Sequence, residues 1–297
     1  MQAVITLAGE GTRMLPWSRG VRKEFLPLYD RGENGALVLK PVAHLVVESL
    51  IEAGAELVTV VVQPRDAGAV QSYFTVDHEF LKRHRRHAER LVETRRFYET
   101  LDKFRFVYTL QPRPAGFGDA VLRTEAVIGQ SPFLLHAGDG IVVEPERGAA
   151  LRTMAELRER ENLDAVVLAR VVADPRRYGV LEGRVGRKVG PYPRIDVTRI
   201  VEKPEHPKTH WAAAAVYVFG PRLFPALEAV RKEHRSPELE LTDGIQRMIE
   251  QGGRVASLLL GPRTGTWRSV GSPEGYGRAL EATRRVAVRP RPARAND

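Results

Sequence analysis

The chain has 297 residues, 43% of them hydrophobic and 28% charged, a balance that fits a folded globular protein and excludes a disordered one. Cysteine is absent, which excludes disulfides, thiol ligands and thiol nucleophiles, and no apolar run is long enough for a membrane-spanning helix. The net charge is +9, with 38 of the 46 basic residues arginine, and this suits anionic partners such as phosphorylated small molecules.

In chain order, the apolar run 3–8 predicts a strand ending in the tight turn Gly9-Glu10-Gly11. The start has neither the basic residues nor the long apolar stretch of a signal peptide, so a cytoplasmic protein is expected. Residues 41–53 carry apolar side chains at helical spacing, with Pro41 suited to a first-turn position and Gly54 to the cap. Residues 57–62 (LVTVVV) read as a buried strand. This strand–helix–strand order predicts an α/β fold with a parallel sheet. Residues 78–105, rich in Arg, His and Glu, predict one or two amphipathic surface helices. Strands are expected at 106–110, 133–136, 165–172, 198–201 and 213–219, and helices at 119–128, 149–162, 221–233, 242–252 and 273–287. The Gly-, Pro- and Arg-rich stretch 182–193 predicts a hairpin or loop. The alternation favours one domain over residues 1–287, of which 221–287 form a C-terminal helical part, followed by a disordered tail over 288–297.

The chemistry begins at Leu7-Ala8-Gly9-Glu10-Gly11-Thr12-Arg13. Two glycines let the backbone approach a phosphate chain and offer N–H donors, and Arg13 adds a planar cation. The pattern is neither a full dinucleotide-binding G-x-G-x-x-G nor a Walker loop. By itself it fits an ordinary strand-to-helix turn equally well.

Read together with Arg22-Lys23-Glu24-Phe25-Leu26-Pro27, the segment resembles the sugar-phosphate nucleotidylyltransferases. The wording Arg13-Met14-Leu15-Pro16 and Lys23-Glu24-Phe25-Leu26-Pro27 is most similar to the UTP–glucose-1-phosphate uridylyltransferase branch. Further segments follow in the family's order. They are Lys40-Pro41 (displaced by an insertion, Tyr29 to Leu39, expected as a surface loop or hairpin), Gln111 to Ala120, Ala137-Gly138-Asp139, Tyr178-Gly179-Val180, Val201-Glu202-Lys203-Pro204, Ala215 to Phe219, Glu238 to Asp243 and Trp267 to Tyr276. The resemblance implies a Rossmann-like, mixed and mostly parallel sheet flanked by helices. It also implies transfer of a nucleoside monophosphate from UTP or dTTP to a hexose-1-phosphate, with Mg²⁺ as cofactor and a homo-oligomer, dimer or tetramer. Carried onto this chain, Arg13 and Lys23 are catalytic, and Ala8, Gly9, Gly11, Thr12, Gln111 and Gly116 bind the nucleotide. Gly179, Glu202, Lys203 and Tyr217 bind the sugar phosphate, although Tyr217 also reads as a core residue. Asp139 binds the metal.

Three departures stand out. Ser269 occupies the position of the second metal carboxylate, where a neutral hydroxyl is a weaker Mg²⁺ ligand. The metal then rests on Asp139 and phosphates, or another carboxylate reaches in, or the protein binds sugar nucleotides without turning them over, as a regulatory protein would. Ala215 replaces a glycine, and Thr209-His210-Trp211 replaces an Asn-bearing approach to the sugar. A nucleic-acid partner, the other reading of the charge, lacks clustered aromatics, a zinc pattern or a basic heptad region.

Overall fold

The computed structural model describes residues 1–233 and 236–288. Strand β1 (Gln2–Leu7) leads through short 3₁₀ turns to the hairpin β2 (Pro27–Arg31) and β3 (Leu37–Pro41), helix α1 (Val42–Glu52) and strand β4 (Leu57–Val62). Helices α2 (Ala67–Tyr73), α3 (His78–Arg83) and α4 (Val92–Leu101) precede β5 (Arg105–Leu110). Then come α5 (Phe117–Leu122), α6 (Glu125–Ile128), β6 (Phe133–Ala137), β7 (Gly140–Val143), α7 (Ala149–Glu161) and β8 (Ala165–Val171). The chain continues through β9 (Gly179–Val189), β10 (Tyr192–Glu202), β11 (Trp211–Phe219), α8 (Leu223–Glu233) and α9 (Leu241–Glu250), and closes with β12 (Val255–Leu260), β13 (Thr266–Ser269) and α10 (Pro273–Ala287).

The central sheet has nine strands in the order β5-β4-β1-β6-β11-β8-β12-β10-β9. Pairing is parallel through β5, β4, β1 and β6 and between β8 and β12, and only β11 and β10 run against the rest. Strand β1 is apolar at Ala3, Val4, Ile5 and Leu7 because helices cover both faces. Ala3, Ile5 and Leu7 pack with α1, α7 and α10 on one side, while Val4 joins α5, α8 and α9 on the other. The second core is closed by Phe133 stacked on Phe224, with ring centroids 5.4 Å apart, and truncating such a buried ring costs about 3–5 kcal/mol.

Several expectations are corrected. Pro41 ends β3, and the helix begins at Val42. The single helix expected over 119–128 is two, α5 and α6, because the buried Thr124 hydroxyl bonds the Val121 carbonyl at 2.7 Å and competes with the helical ladder. The stretch 182–193 is a hairpin as expected, running from most of β9 through the turn into the start of β10, but the two strands extend beyond it to eleven residues each, a length their arginines and glycines hide. The segment 221–287 is not a helical part alone, since it contains β12, inside the central sheet, and β13, paired with β7. The insertion at 29–39 forms most of the β2–β3 hairpin, as expected. Of the tail, only Val288 is described, and 289–297 lie outside the described residues.

Candidate active site

The order of formation places a switch at β1. Strands β4 and β5 add on one side, and the chain then crosses to place β6 on the other. A crevice outside the carboxyl ends of the strands is expected there. The loop Ala8–Gly11 leaves β1 at this point, with Gly11 at φ +68, and Thr12 to Met14 form a 3₁₀ turn. Two side chains brace it from below. Gln63 donates to the Ala8 carbonyl at 2.7 Å. Arg22 donates to the Leu7 carbonyl and to Asp66 at 2.8 Å. Neither was assigned a role from the sequence, because their partners, the Ala8 and Leu7 carbonyls and Asp66, lie far from them in the chain.

Lys23 lies beneath the loop. Its Nζ is 3.4 Å from where a Cβ on Gly9 would stand, so the ammonium lies against the loop backbone. The same Nζ pairs with Asp139 Oδ2 at 2.6 Å. Burial alone would raise the Asp139 carboxyl, but Lys23 and then Arg13 overcome it and hold the group below the usual carboxylate range. Burial likewise works against the Lys23 ammonium, and Asp139 and Glu24 outweigh it, leaving Lys23 above its ordinary value. Glu24 is buried beside them, and burial pushes its carboxyl up to about 7 against the pull of Arg22.

Asp139 follows β6, and the β7–β13 ribbon delivers Ser269 opposite Gly140. The Val270 amide donates to the Asp139 carbonyl at 2.9 Å. A Cβ on Gly271 would lie 3.1 Å from Ser269 Oγ, 3.2 Å from Arg13 Nη2 and 3.2 Å from Asp139 Oδ2. The fold therefore brings Arg13, Lys23, Asp139 and Ser269 around one small space that a glycine keeps open. Among the described residues no cluster of three or more His, Asp or Glu is suited to a metal. One carboxylate and one hydroxyl fit an ion that takes its other ligands from phosphate and water, as Mg²⁺ does.

Gln111 is buried at the end of β5, and its amide nitrogen donates to the Gly116 carbonyl at 3.0 Å and to Asp119 at 2.9 Å. Arg123 grips the same Asp119 at 2.8 Å. Gly116 has φ +96 and presses on the Leu239 backbone, where a Cβ would come within 2.4 Å of its carbonyl oxygen.

The third group sits at β9, β10 and β11. Gly179 faces Glu202, whose Oε2 accepts from the Thr242 hydroxyl at 3.0 Å. Lys203, at φ +41, reaches Glu202 at 3.2 Å and Glu240 at 3.3 Å. Burial and the neighbouring Glu240 raise the Glu202 carboxyl. Tyr217 is buried and stacks on Phe219 at 5.4 Å. It is thus a core residue, yet Glu202 and Glu240 add to burial in raising its hydroxyl, so the ring also borders this group. Ala215 stands in a bulge of β11 at φ +52, a conformation that favours glycine. Val216 pairs with His136, so the bulge lies level with Ala137, beside the loop that carries Asp139. Glu240 and Thr242, in the segment Glu238 to Asp243, went unassigned in the sequence because only the tertiary fold brings α9 against β10. A cavity of about 370 Å³ at the far end of the sheet, lined by Met1, Gln2 and Glu56 among others, contains none of these residues.

A Rossmann-like sheet with a glycine loop over a lysine–aspartate pair defines a nucleotide-dependent group-transfer fold. Residues 2–285 match the family described as nucleotidyl transferase, and the chain belongs to that family. It is 28% identical over 285 residues to UTP–glucose-1-phosphate uridylyltransferase of Pseudomonas aeruginosa, covering 93% of this chain and 92% of that protein. It is 27% identical to glucose-1-phosphate thymidylyltransferase of Neisseria gonorrhoeae, covering 96% of this chain and 83% of that one. The crystal structure of UDP-glucose pyrophosphorylase complexed with UDP-glucose superposes with a TM-score of 0.78 at 25% identity, over 96% of this chain and 99% of that one.

Proposed function

We propose that the chain joins a hexose-1-phosphate, with glucose-1-phosphate first in line, to the nucleoside monophosphate of UTP or dTTP, releasing pyrophosphate. The observation that carries this reading is the convergence of Arg13, Lys23, Asp139 and Ser269 under the Ala8–Thr12 loop. A phosphate oxygen of the sugar phosphate forms the new bond to the α-phosphorus, and the bond to the bridging oxygen of pyrophosphate breaks in line. Both reactants are anions and the nucleophile is already ionised, so the protein's work is charge neutralisation and alignment.

The backbone of Ala8, Gly9, Gly11 and Thr12 holds the triphosphate, and Arg13 and Lys23 neutralise it. Asp139, with Ser269 beside it, would hold Mg²⁺, which when bound polarises the phosphoryl oxygens. Gln111 and Gly116 receive the base. Both amide protons of Gln111 go to acceptors, so Oε1 is what it offers the base. An acceptor matches the N3–H of uracil or thymine and not the N3 lone pair of cytosine. Gly179, Glu202, Lys203 and Tyr217 border the sugar phosphate, Glu202 accepting from hydroxyls and Lys203 neutralising phosphate.

The relatives named above act on UTP or carry out thymidylyl transfer with glucose-1-phosphate, as their names state. They support catalysis over a merely regulatory binding role. Residues 1–287 working as one domain, a dimeric or tetrameric assembly and a cytoplasmic location, where nucleoside triphosphates are drawn from the cell's pool, complete the proposal. Among the described residues no helix is long and apolar enough to cross a membrane.

The test is pyrophosphate release with Mg²⁺ over UTP, dTTP, CTP, ATP and GTP against several hexose-1-phosphates. Turnover with UTP or dTTP and not CTP is expected, and no turnover with any pair would overturn the reading. Ser269→Asp is expected to lower the Mg²⁺ concentration needed for half-maximal rate. An unchanged metal requirement would remove position 269 from the metal site.

A further inference from the structure

Two aromatic residues beside the candidate site, Tyr178 and Trp267, have no part in the reaction as proposed, and one arginine lies over both. Along β8, Val166 and Leu168 pack with α1, α7 and α10, and alternation carries Arg170, next to last in the strand, to the same face. Its guanidinium lies 4.9 Å from the centroid of the Tyr178 ring and 4.8 Å from that of Trp267. Among the described residues no carboxylate pairs with it, so the two rings hold it by cation–π attraction.

Each ring belongs to a different end of the crevice. Trp267 lies in β13 two residues before Ser269, and alternation puts both side chains on one face of that strand. Its indole lies across Gly140, the residue after Asp139, where a Cβ would come within 2.5 Å of Cζ2. Tyr178 precedes Gly179, and its carbonyl accepts from the Lys203 amide at 3.1 Å. That bond ties down a residue whose φ of +41 is costly for a side chain other than glycine. Arg170 thus touches both the segment leading to Ser269 and Asp139 and the segment leading to Gly179 and Lys203. Its Nε is buried without a hydrogen-bond partner. Burying that donor unpaired costs folding free energy that a methionine in its place would avoid, so packing alone does not account for a guanidinium here.

We propose that Arg170 is a positioning residue that sets the distance between the two ends of the crevice, acting through Trp267 on Ser269 and Asp139 and through Tyr178 on Gly179 and Lys203. The inference rests on the transfer reaction proposed above. In that reaction each substrate is held at its own end, and in-line attack requires the sugar-phosphate oxygen to meet the α-phosphorus at the correct distance and angle. A guanidinium suits a spacer between rings, because it is planar, stacks on aromatic faces and stays charged. Arg170 needs no contact with either substrate, so its effect falls on alignment and not on the affinity for either one.

The experiment is steady-state pyrophosphate release by the wild type, Arg170→Met and Arg170→Lys, with the melting point of each. Arg170→Met fills the space without the charge. It is expected to lower kcat by about 10–100-fold, the scale of a misplacement of about 1 Å, with both KM values unchanged. Arg170→Lys keeps a cation over the rings and should recover part of the rate. A rise in one KM with kcat intact would overturn the proposal, because Arg170 would then act at one end alone. Unchanged constants with a lower melting point would overturn it in favour of a packing role. If the wild type itself turns over no substrate pair, the proposed function fails, and the link is read without turnover. In a Trp17→Phe, Trp211→Phe background Trp267 is the only tryptophan. Gly179→Ala sets a Cβ 2.5 Å from Thr242 Cγ2 and so displaces the segment after Tyr178. It should shift Trp267 emission when Arg170 is present and not when Arg170→Met is added. An equal shift in both backgrounds, or none in either, would overturn the link.

Discussion

The proposed phosphate end and the proposed sugar end of the crevice are built on opposite plans. At the phosphate end, short loops leave parallel strands, and cations gather around the single Asp139: Lys23 at 2.6 Å, with Arg13 across Gly271. At the sugar end, long antiparallel strands and a bulge bring two carboxylates, Glu202 and Glu240, onto one lysine. The difference follows the proposed substrates. A triphosphate needs compensating charge wherever it lies, and backbone amides with a few cations supply it. A sugar needs acceptors fixed relative to particular hydroxyls, and those are set by tertiary contacts.

The contrast can be broken at its strongest point by Lys23→Ala. Removing the main cation should lower kcat by about 10²–10³, by comparison with the loss of other transition-state donors. Steady-state pyrophosphate release checks this, and a loss below ten-fold would mean the two ends do not differ as described. Glu202→Gln should act mainly on KM for the sugar phosphate, raising it about ten-fold while KM for the triphosphate stays put. Equal changes in both constants would merge the two ends into one. Asp119→Asn sharpens the comparison at the base. It weakens one of the two acceptors that orient the Gln111 amide, the Gly116 carbonyl being the other, so the preference for UTP over CTP should fall by about ten-fold, read as a ratio of kcat/KM values. Unchanged discrimination would show that Gln111 is not oriented by Asp119.

The smallest effect belongs to Ala215→Gly. Releasing an L-residue from φ +52 is expected to stabilise the chain by about 1 kcal/mol, less the added freedom of glycine in the unfolded state. A melting point about 2 °C higher is the expected result, and a lower one would mean the methyl group packs usefully in the bulge.

How much of this was legible depended on how far apart the contacts lie in the chain. The glycine turn after β1, Lys23 and Asp139 each sit in short segments whose local pattern is informative. Helices α1, α7 and α10 were legible as local patterns, and the β2–β3 hairpin only as an insertion between two motifs. The full length of β9 was not legible, because half its residues are glycine or arginine on an exposed edge. Nor was β12, a six-residue stretch, apolar but for Ser257, that a helix or a strand could use equally well.

The sequence by itself determined the α/β class, and its resemblance to the family pointed to the Ala8–Thr12 loop, Lys23 and Asp139 as the proposed phosphate loop, cation and carboxylate, since each lies in a motif of a few residues. Only the tertiary structure decided that Lys23 meets Asp139 across 116 residues and that Glu202 shares Lys203 with Glu240. Those juxtapositions come from strand order and side-chain alternation in the assembled sheet, which place residues together by face and register rather than by distance along the chain.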